Sequence, residues 1–187
     1  VPGLKVVAPA TPHDAKGLLK SAIRDHNPVI FIEAQLLYGT KGGVGDGEYT
    51  IPLGQAEVKR EGTDATIVAY SKMLLVALDA ADQLRREGLD VEVIDPRTLK
   101  PLDLETIVTS VTKTGRLVIV EEGWRFCGLG AQIAESIYSA AFDYLDAPIV
   151  RVTGEDVPIP YSRPLEDAAI PDVPRVIAAV KSLCGAA

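Results

Sequence analysis

Short apolar runs typical of β-strands alternate with amphipathic helical segments along the whole chain, and this order is the strongest constraint on the fold. The predicted strands cover residues 4–8, 28–33, 56–59, 65–70, 91–94, 116–120 and 149–152. Helical periodicity fills most of the intervals between them, and a last helix follows Asp172. Parallel strands need a long crossover connection, usually a helix, so the alternation predicts an α/β fold.

A glycine-rich stretch suggests how the chain divides into domains. Residues 39–47 contain five glycines, and we interpret them as a linker or flexible loop. The βαβ unit before this stretch is too small to cover both faces of a parallel sheet. The chain also begins without methionine, so we expect the C-terminal part of a longer polypeptide. Residues 1–50 are then the tail of one parallel α/β domain, and residues 51–187 form a complete second α/β domain with a mostly parallel sheet.

The composition is that of a soluble globular protein and excludes several classes of partner. The chain has 187 residues, of which 47% are hydrophobic, and a net charge of −7 without a long basic run. Nucleic acid and anionic membranes are therefore not expected as partners. No apolar stretch approaches the ~18 residues that span a bilayer, and no signal sequence opens the chain. Cys127 and Cys184 form no metal or disulfide motif, so we expect reduced cysteines packed in the core.

The first helix has clear boundaries, but its last turn carries an unexpected charge. Thr11 and Pro12 predict where the helix begins, and Pro28 requires that it end earlier. The last turn of a helix exposes carbonyl oxygens at the negative end of the dipole, where a cation is favoured by about 0.3–1 kcal/mol. Asp25 places a carboxylate there instead.

Two interpretations of Asp25 stay open from the residues alone. Asp25 and Asn27 can form a solvated turn, with Arg24 as the local counter-charge. Alternatively, the carbonyls of Ala22 and Ile23 join oxygens of the same turn in an oxygen-only cation site. Such a set of ligands suits potassium, sodium or calcium rather than zinc.

Other segments that resemble functional motifs have simpler structural explanations. Residues 128–130 (Gly-Leu-Gly) begin like a dinucleotide-binding loop, but Ile133 stands where the third glycine belongs. Residues 42–47 lack the Lys-Ser/Thr of a phosphate loop and precede no helix. His13 and His26 are expected on the surface.

Acidic residues follow several predicted strands, where α/β proteins place their ligand sites. We expect Asp95 to pair with Arg97. Glu121, Glu122 and Trp124 are expected to line either an interface or a solvated loop. Because no set of nucleophile, base and acid can be assembled from these residues, none is named as catalytic.

Longer motifs carry a resemblance to a known family. They include residues 3–9 (GLKVVAP), 14–19 (DAKGLL), 21–25 (SAIRD), 51–54 (IPLG), 95–103 (DPRTLKPLD) and the segment 146–161. Together they resemble, nearly from end to end, the beta subunits of the thiamine-diphosphate-dependent 2-oxo acid dehydrogenases. The pyruvate-specific, acetyl-transferring members are most similar, through residues 37–39, 122–124 and 152–161. The branched-chain and acetoin dehydrogenases remain alternatives.

The resemblance implies an oxidoreductase of α2β2 composition. Thiamine diphosphate and magnesium would lie between the alpha subunit and the pyrimidine-binding domain of the beta subunit. Residues 1–50 resemble the tail of that domain, and residues 51–187 resemble the transketolase C-terminal domain, which is chiefly an assembly module. The family's catalytic glutamate and histidine lie upstream of this chain. No catalytic or cofactor-binding residue is therefore carried over, and the segment alone is expected to be inactive.

The same resemblance favours the cation interpretation of the first helix. In related beta subunits the matching segment binds potassium, which assigns Ala22, Ile23, Asp25 and Asn27 as metal ligands. His26 replaces a common Asn or Asp between them. One further family ligand lies upstream of residue 1.

The partners implied by the family are an alpha subunit, a second beta subunit and the subunit-binding domain of a dihydrolipoamide acyltransferase. The location implied is the cytoplasm, or the mitochondrial matrix or plastid in a eukaryote. A hypothesis of another class is a non-catalytic module that dimerises and receives a basic partner domain, which the acidic charge would suit.

Overall fold

Two β-sheets, one of three strands and one of five, organise the chain in this computed structural model, which describes residues 2–185. Residues 1, 186 and 187, at the outer ends of the two expected domains, lie outside the described residues. The strands are β1 (Lys5–Val7), β2 (Val29–Phe31), β3 (Glu57–Arg60), β4 (Ala65–Ala69), β5 (Val91–Asp95), β6 (Thr98–Lys100), β7 (Leu117–Trp124) and β8 (Val150–Gly154). The helices are α1 (Pro12–Arg24), α2 (Lys72–Arg86), α3 (Leu104–Thr114), α4 (Leu129–Ala141), α5 (Arg163–Ala169) and α6 (Val173–Cys184).

The five-stranded sheet has the order β3-β5-β4-β7-β8, and only its edge strand β3 runs antiparallel. β4 lies at the centre with all of its residues buried, which explains its unbroken apolar sequence. Ile67 of β4 pairs with Val93 on one side and Val118 on the other. The prediction of a mostly parallel α/β sheet is confirmed.

Helices cover both faces of this sheet and enclose two layers of core. Successive strand residues point to opposite faces, so Ile67 and Val68 enter different layers. On one face Ile67 packs in a cluster with Leu74 of α2 and Val180 of α6. On the other face Val68 packs in a cluster with Ile107 of α3 and residues of α4.

Side-chain caps fix where several helices begin. The Thr11 hydroxyl accepts a hydrogen bond from the backbone N–H of Asp14 at 3.1 Å, and the Asp172 carboxylate accepts one from that of Arg175 at 2.9 Å. The predicted starts of α1 and α6 are therefore confirmed. At the far end of α2, Gly88 adopts a positive φ of 88° just beyond the last turn, a conformation that glycine tolerates and that ends the helix. Within residues 2–185, the helices are too short or too polar to cross a membrane.

The three-stranded sheet has the order β2-β1-β6. It combines two strands from residues 1–50 with one strand from residues 51–187, so it crosses the expected domain boundary. β1 and β2 run parallel, as predicted, with α1 as their crossover. β6 was not predicted, and it pairs antiparallel with β1 although it follows β5 of the larger sheet in sequence. The small core beneath these strands contains Val7 and Leu18 together with Ile51.

The glycine-rich stretch is an exposed, irregular loop, as predicted, and it is tied to α1. Residues 41–48 are exposed and form neither helix nor strand. The ammonium group of Lys16 donates hydrogen bonds to the carbonyls of Gly45 at 2.7 Å and Gly47 at 2.9 Å.

The prediction that both cysteines pack in the core is wrong for Cys127. Both cysteines are free, as expected, but Cys127 is exposed and Cys184 is only partly buried. Cys127 lies in the turn between β7 and α4 with a positive φ of 54°, so it belongs to a loop that faces solvent.

Helix α5 was not predicted. Only one of its seven residues, Ala169, is buried, so it has no apolar periodicity that could indicate a helix.

Candidate cation site and the strand ends

Helix α1 ends at Arg24, and Asp25 takes the C-cap position with an extended backbone. The backbone N–H of Asp25 donates to the carbonyl of Ala22 at 3.3 Å, which closes the last turn. Arg24 forms an ion pair with Glu48, so the prediction that Arg24 compensates Asp25 is wrong. The helix stops here because the following residues must become extended before Pro28.

Lys5 is the counter-charge that the Asp25 carboxylate uses. Its ammonium group, on β1, contacts one carboxylate oxygen of Asp25. The other oxygen accepts hydrogen bonds from the backbone N–H of Asn27 at 2.8 Å and from its side-chain amide at 3.0 Å. The bond from Lys5, followed by the bonds from Asn27, lowers the pKa of Asp25 to about 2. Asp25 and Asn27 therefore form the hydrogen-bonded turn of the first interpretation.

This geometry limits which oxygen atoms remain for a cation. Ala22, Ile23, Asp25 and Asn27 lie within one turn of each other, but the Asp25 side chain already has three donors. The carbonyls at the end of a helix have no following helical N–H groups, so the main chain of this turn presents acceptor oxygens. Main-chain carbonyl oxygens are the ligand type that suits potassium. The donor set fits a potassium ion through its backbone.

A groove of about 310 Å³ lies beside this turn, and it is lined by Lys5, Ser21, Arg24, Asp25, Thr50, Pro52 and Leu53. The hydroxyl of Ser21 donates to the carbonyl of Ile51 at 2.5 Å and anchors the far wall of the groove to α1. The groove therefore contains two fixed cationic side chains and one carboxylate. Lys5 and Arg24 would repel a cation bound in this groove. Attraction to coordinating backbone oxygens would have to exceed that repulsion.

In the second half of β7, the Glu121 carboxylate lies against the N-terminal turn of α4. Glu121 is fully buried and accepts the backbone N–H of Gly130, in the first turn of α4, at 2.9 Å. It also pairs with Arg151 of β8 at 2.6 Å. A Cβ atom at Gly130 would lie 2.5 Å from the Glu121 carboxylate, so only glycine fits. Residues 128–130 are therefore glycine-rich to admit Glu121, which agrees with the structural explanation of this motif.

The neighbours of Glu121 divide between the interior and the surface. The Tyr70 hydroxyl donates to Glu121 at 3.4 Å, and burial, with the charge of Glu121, raises the Tyr70 pKa. Trp124 is about half exposed, and its indole N–H donates to the carbonyl of Val157 at 3.0 Å. The strand end thus offers an aromatic surface beside a buried ion pair.

Asp95 and Arg97 pair with each other, as expected, but through the main chain of Arg97 and not through its guanidinium group. Only the backbone N–H of Arg97 reaches Asp95, at 2.9 Å. The guanidinium group of Arg97 instead lies 3.4 Å from Asp14 and 3.1 Å from Glu57. Arg97 adopts a positive φ of 55°, and its side chain reaches α1 and β3 across the junction of the two sheets. Sequence reasoning missed this cluster because its members are distant along the chain.

The two histidines lie on the surface, as predicted. His13 stacks on the ring of Tyr49 with 4.6 Å between ring centroids, and His26 is exposed in the turn after α1. Among residues 2–185, no group of three His, Cys, Asp or Glu side chains is placed to hold a metal ion. Glu33, after β2, accepts the Tyr38 hydroxyl at 3.0 Å at the surface.

Comparison with known proteins gives two family matches along the chain. The transketolase C-terminal domain matches residues 54–176, which is more than half of the chain. The transketolase pyrimidine binding domain matches residues 1–41. A solved structure described as a split gene transketolase, inactive beta4 tetramer, superposes with a TM-score of 0.80 at 29% identity, covering 99% of this chain and 58% of that one.

Curated proteins similar to this chain include beta subunits of pyruvate dehydrogenase. The pyruvate dehydrogenase E1 component subunit beta of Rickettsia felis is 55% identical over 184 residues, covering 98% of this chain and 56% of the relative. The mitochondrial protein of that name from Dictyostelium discoideum is 51% identical over 185 residues, covering 97% of this chain and 52% of the relative. The chain thus spans about half the length of these relatives.

Proposed function

The chain belongs to the transketolase family through its C-terminal domain, and on that basis we propose that it forms the C-terminal part of a pyruvate dehydrogenase E1 beta subunit. The observation that carries the proposal is the 55% identity to such a subunit across 98% of this chain. The whole enzyme would decarboxylate pyruvate oxidatively and pass the acetyl group to a lipoyl arm. Thiamine diphosphate, when bound, would supply the carbanion chemistry of that reaction.

The part played by residues 1–187 is structural in this proposal. We propose a division near residue 50, between a pyrimidine-domain tail and an assembly domain, which the gap between the two family matches supports. Ile51 nevertheless packs with Val7 and Leu18 of the first unit, so the two units share a core. No residue of this chain is assigned to catalysis, and thiamine diphosphate and magnesium are assigned to the upstream half and the alpha subunit.

Activity of the assembled enzyme tests this proposal. The full polypeptide that contains this chain would be co-expressed with an alpha subunit and supplied with thiamine diphosphate and magnesium. We expect decarboxylation of pyruvate to exceed that of branched-chain 2-oxo acids and turnover of acetoin. A preference for either alternative substrate would reassign the chain within the family, and activity of residues 1–187 alone would contradict the structural role.

Potassium binding at the end of α1 is a second part of the proposal. The support is the clustering of Ala22, Ile23, Asp25 and Asn27 in one turn and the main-chain carbonyls that the end of a helix presents there. The Asp25 side chain is engaged by Lys5 and Asn27, so its role is to hold the turn in the shape that presents those carbonyls.

Melting temperature at increasing potassium, with sodium keeping ionic strength constant, tests this site in the intact protein. A ligand present at 100 times its dissociation constant stabilises the folded state by about 2.7 kcal/mol. We expect the wild-type melting temperature to rise with potassium and Asp25→Ala to lose the response. The matched control is Asp46→Ala, in the exposed glycine-rich loop, which should keep it. A wild-type melting temperature that is independent of potassium rejects the site.

A role in assembly is favoured by the apolar side chains that residues 2–185 leave exposed. Trp124 at the end of β7, Phe126 in the following turn, and Tyr161 and Leu165 after β8 are all exposed. Exposed aromatic and apolar side chains of this size are common at interfaces. We propose an alpha subunit and a second beta subunit as the partners. A third partner would be the basic subunit-binding domain of an acyltransferase, which the net charge of −7 would attract.

Size-exclusion chromatography with light scattering tests this role of the surface. The Tyr161→Ser variant should form a smaller assembly than wild type, and an unchanged mass contradicts the role.

The proposed location is the cytoplasm of a bacterium or the mitochondrial matrix or plastid of a eukaryote. The relative in Rickettsia felis is bacterial, and the relative in Dictyostelium discoideum is described as mitochondrial. Fractionation of the source cells with an antibody to this chain tests the proposal, and recovery in the secreted fraction contradicts it.

A further inference from the structure

The two sheets meet at a junction of only two residues. Asp95 ends β5 of the larger sheet, and Thr98 begins β6 of the smaller one, with Pro96 and Arg97 between them. The carbonyl of Arg97 accepts the backbone N–H of Ala8, directly after β1, at 2.9 Å. Because this connection is so short, a shift of β6 away from β1 must also displace Pro96 and Arg97 relative to β5.

Charged side chains from three elements surround the junction. Asp14 of α1 is fully buried and pairs with Lys59 of β3 at 2.7 Å and with Arg97 at 3.4 Å. Glu57 of β3 pairs with Arg97 at 3.1 Å and contacts Lys59. We call Asp14, Glu57, Lys59, Asp95 and Arg97 the junction cluster.

Asp95 lacks a cation of its own within this cluster. It is fully buried; one carboxylate oxygen accepts the backbone N–H of Arg97, and the other, Oδ2, has no hydrogen-bond partner. Glu57 lies directly opposite it in the β3–β5 pairing, where a like charge is destabilising. The cluster thus contains three carboxylates and only two cationic side chains. Asp103, the N-cap residue of α3, accepts the backbone N–H of Ala56 at 2.9 Å.

We propose that Asp95 carries a proton in mildly acidic solution, and that the loss of this proton near neutral pH loosens the junction between the two sheets, which makes the junction cluster a pH-sensitive latch. A proton on Oδ2 removes the one negative charge that the cluster does not compensate. When that proton leaves, the buried carboxylate faces Glu57 and Asp14 with the backbone N–H of Arg97 as its one hydrogen-bond donor, and separating β6 from β1 would let water reach it.

The direction of the pKa shifts agrees with this assignment. Burial raises the pKa of Asp95 to about 7, although Lys59 and Arg97 oppose the shift. Burial acts the same way on Asp14, but hydrogen bonds from Lys59 and Thr11 and the charges of Lys59 and Arg97 outweigh it, so the pKa of Asp14 lies below its usual value. Asp14 therefore stays ionised while Asp95 holds the proton.

The sign of the effect on stability follows from the raised pKa of Asp95. The folded state binds the proton more tightly than the unfolded state, whose ordinary value is 3.8. This contribution is complete below that value and is lost as the pH rises towards the folded pKa of about 7. Over that window Asp95 alone lowers the folding equilibrium constant by up to about tenfold per pH unit.

Urea unfolding of the full chain between about pH 5 and about pH 8.5 tests the latch in wild type and in Asp95→Asn. We expect Asp95→Asn to remove the loss of stability with rising pH, because asparagine fills the same space without ionising. The control is Asp143→Asn, an exposed acid after α4, which should follow the wild-type profile. Parallel profiles for wild type and Asp95→Asn would overturn the proposal.

Hydrogen exchange of the wild-type protein tests the latch without any variant. After correction for the intrinsic pH dependence of exchange, we expect the amides of β1 and β6 to lose protection as the pH rises through about 7. The central strand β4 should keep its protection over the same range. Equal changes in β4 and β6, or none in either, would mean that Asp95 does not control the junction.

Discussion

Replacing Glu121 with glutamine tests whether the ion pair between Glu121 of β7 and Arg151 of β8 stabilises the larger sheet. The Glu121 side chain is almost fully buried and that of Arg151 is largely buried, with 2.6 Å between carboxylate and guanidinium. Removing one partner of a buried pair costs about 3–5 kcal/mol. Glutamine keeps an oxygen that can accept the Gly130 N–H, so we expect the free energy of unfolding to fall by about 3 kcal/mol, the lower end of this range.

Urea unfolding followed by tryptophan fluorescence measures this loss. The single tryptophan, Trp124, lies at the end of the same strand and reports on it directly. Glu135→Gln, on the exposed face of α4, is the matched control and should change stability by less than about 0.5 kcal/mol.

A double-mutant cycle separates the pair from general damage to the core. Because Arg151→Met leaves no buried cation, its combination with Glu121→Gln should be less destabilising than the sum of the single changes, with a coupling of about 1–3 kcal/mol. Additive single effects, or a Glu121→Gln loss below about 0.5 kcal/mol, would refute the reasoning.

Three further changes test the core of the larger sheet, the packing of Ile51 on α1, and the start of the last helix. Ile67→Ala, at the fully buried centre of β4, should lower the free energy of unfolding by about 2–5 kcal/mol in urea melts; a loss below about 1 kcal/mol contradicts the placement of this strand. Gly17→Val should cost about 1–3 kcal/mol, because a Cβ atom there lies 2.6 Å from the Ile51 side chain; a neutral result in thermal melts shows that Ile51 does not pack on α1. Asp172→Ala should cost about 1 kcal/mol by removing the cap of α6, whereas Asp172→Asn should retain most of it in the same assay.

Features with local signals could be predicted from the sequence. Thr11 and Asp172 cap helices through side-chain bonds to residues three positions later, so a short segment contains both partners. The unbroken apolar run of β4 likewise follows from burial on both faces.

Features that depend on distant contacts could not be predicted. β6 has only three residues, and its partners Val6 and Val7 lie near the start of the chain. The guanidinium group of Arg97 pairs with Asp14 rather than with its neighbour Asp95, because the positive φ of Arg97 and the position of α1 are set by the tertiary fold. At the candidate cation site, the sequence placed the turn correctly but missed Lys5, which β1 brings to Asp25. Potassium binding there stays a prediction.

The pairing of β6 with β1 has a consequence for chimaeras between relatives. Residue 50 is the expected domain boundary, so a recombination point there would be expected to leave both domains intact. It would nevertheless combine β1 from one parent with β6 from the other. Hybrid proteins should therefore fold well only when the parents match both at Val6 and Val7 and at residues 98–100, or when the exchanged segment carries both strands.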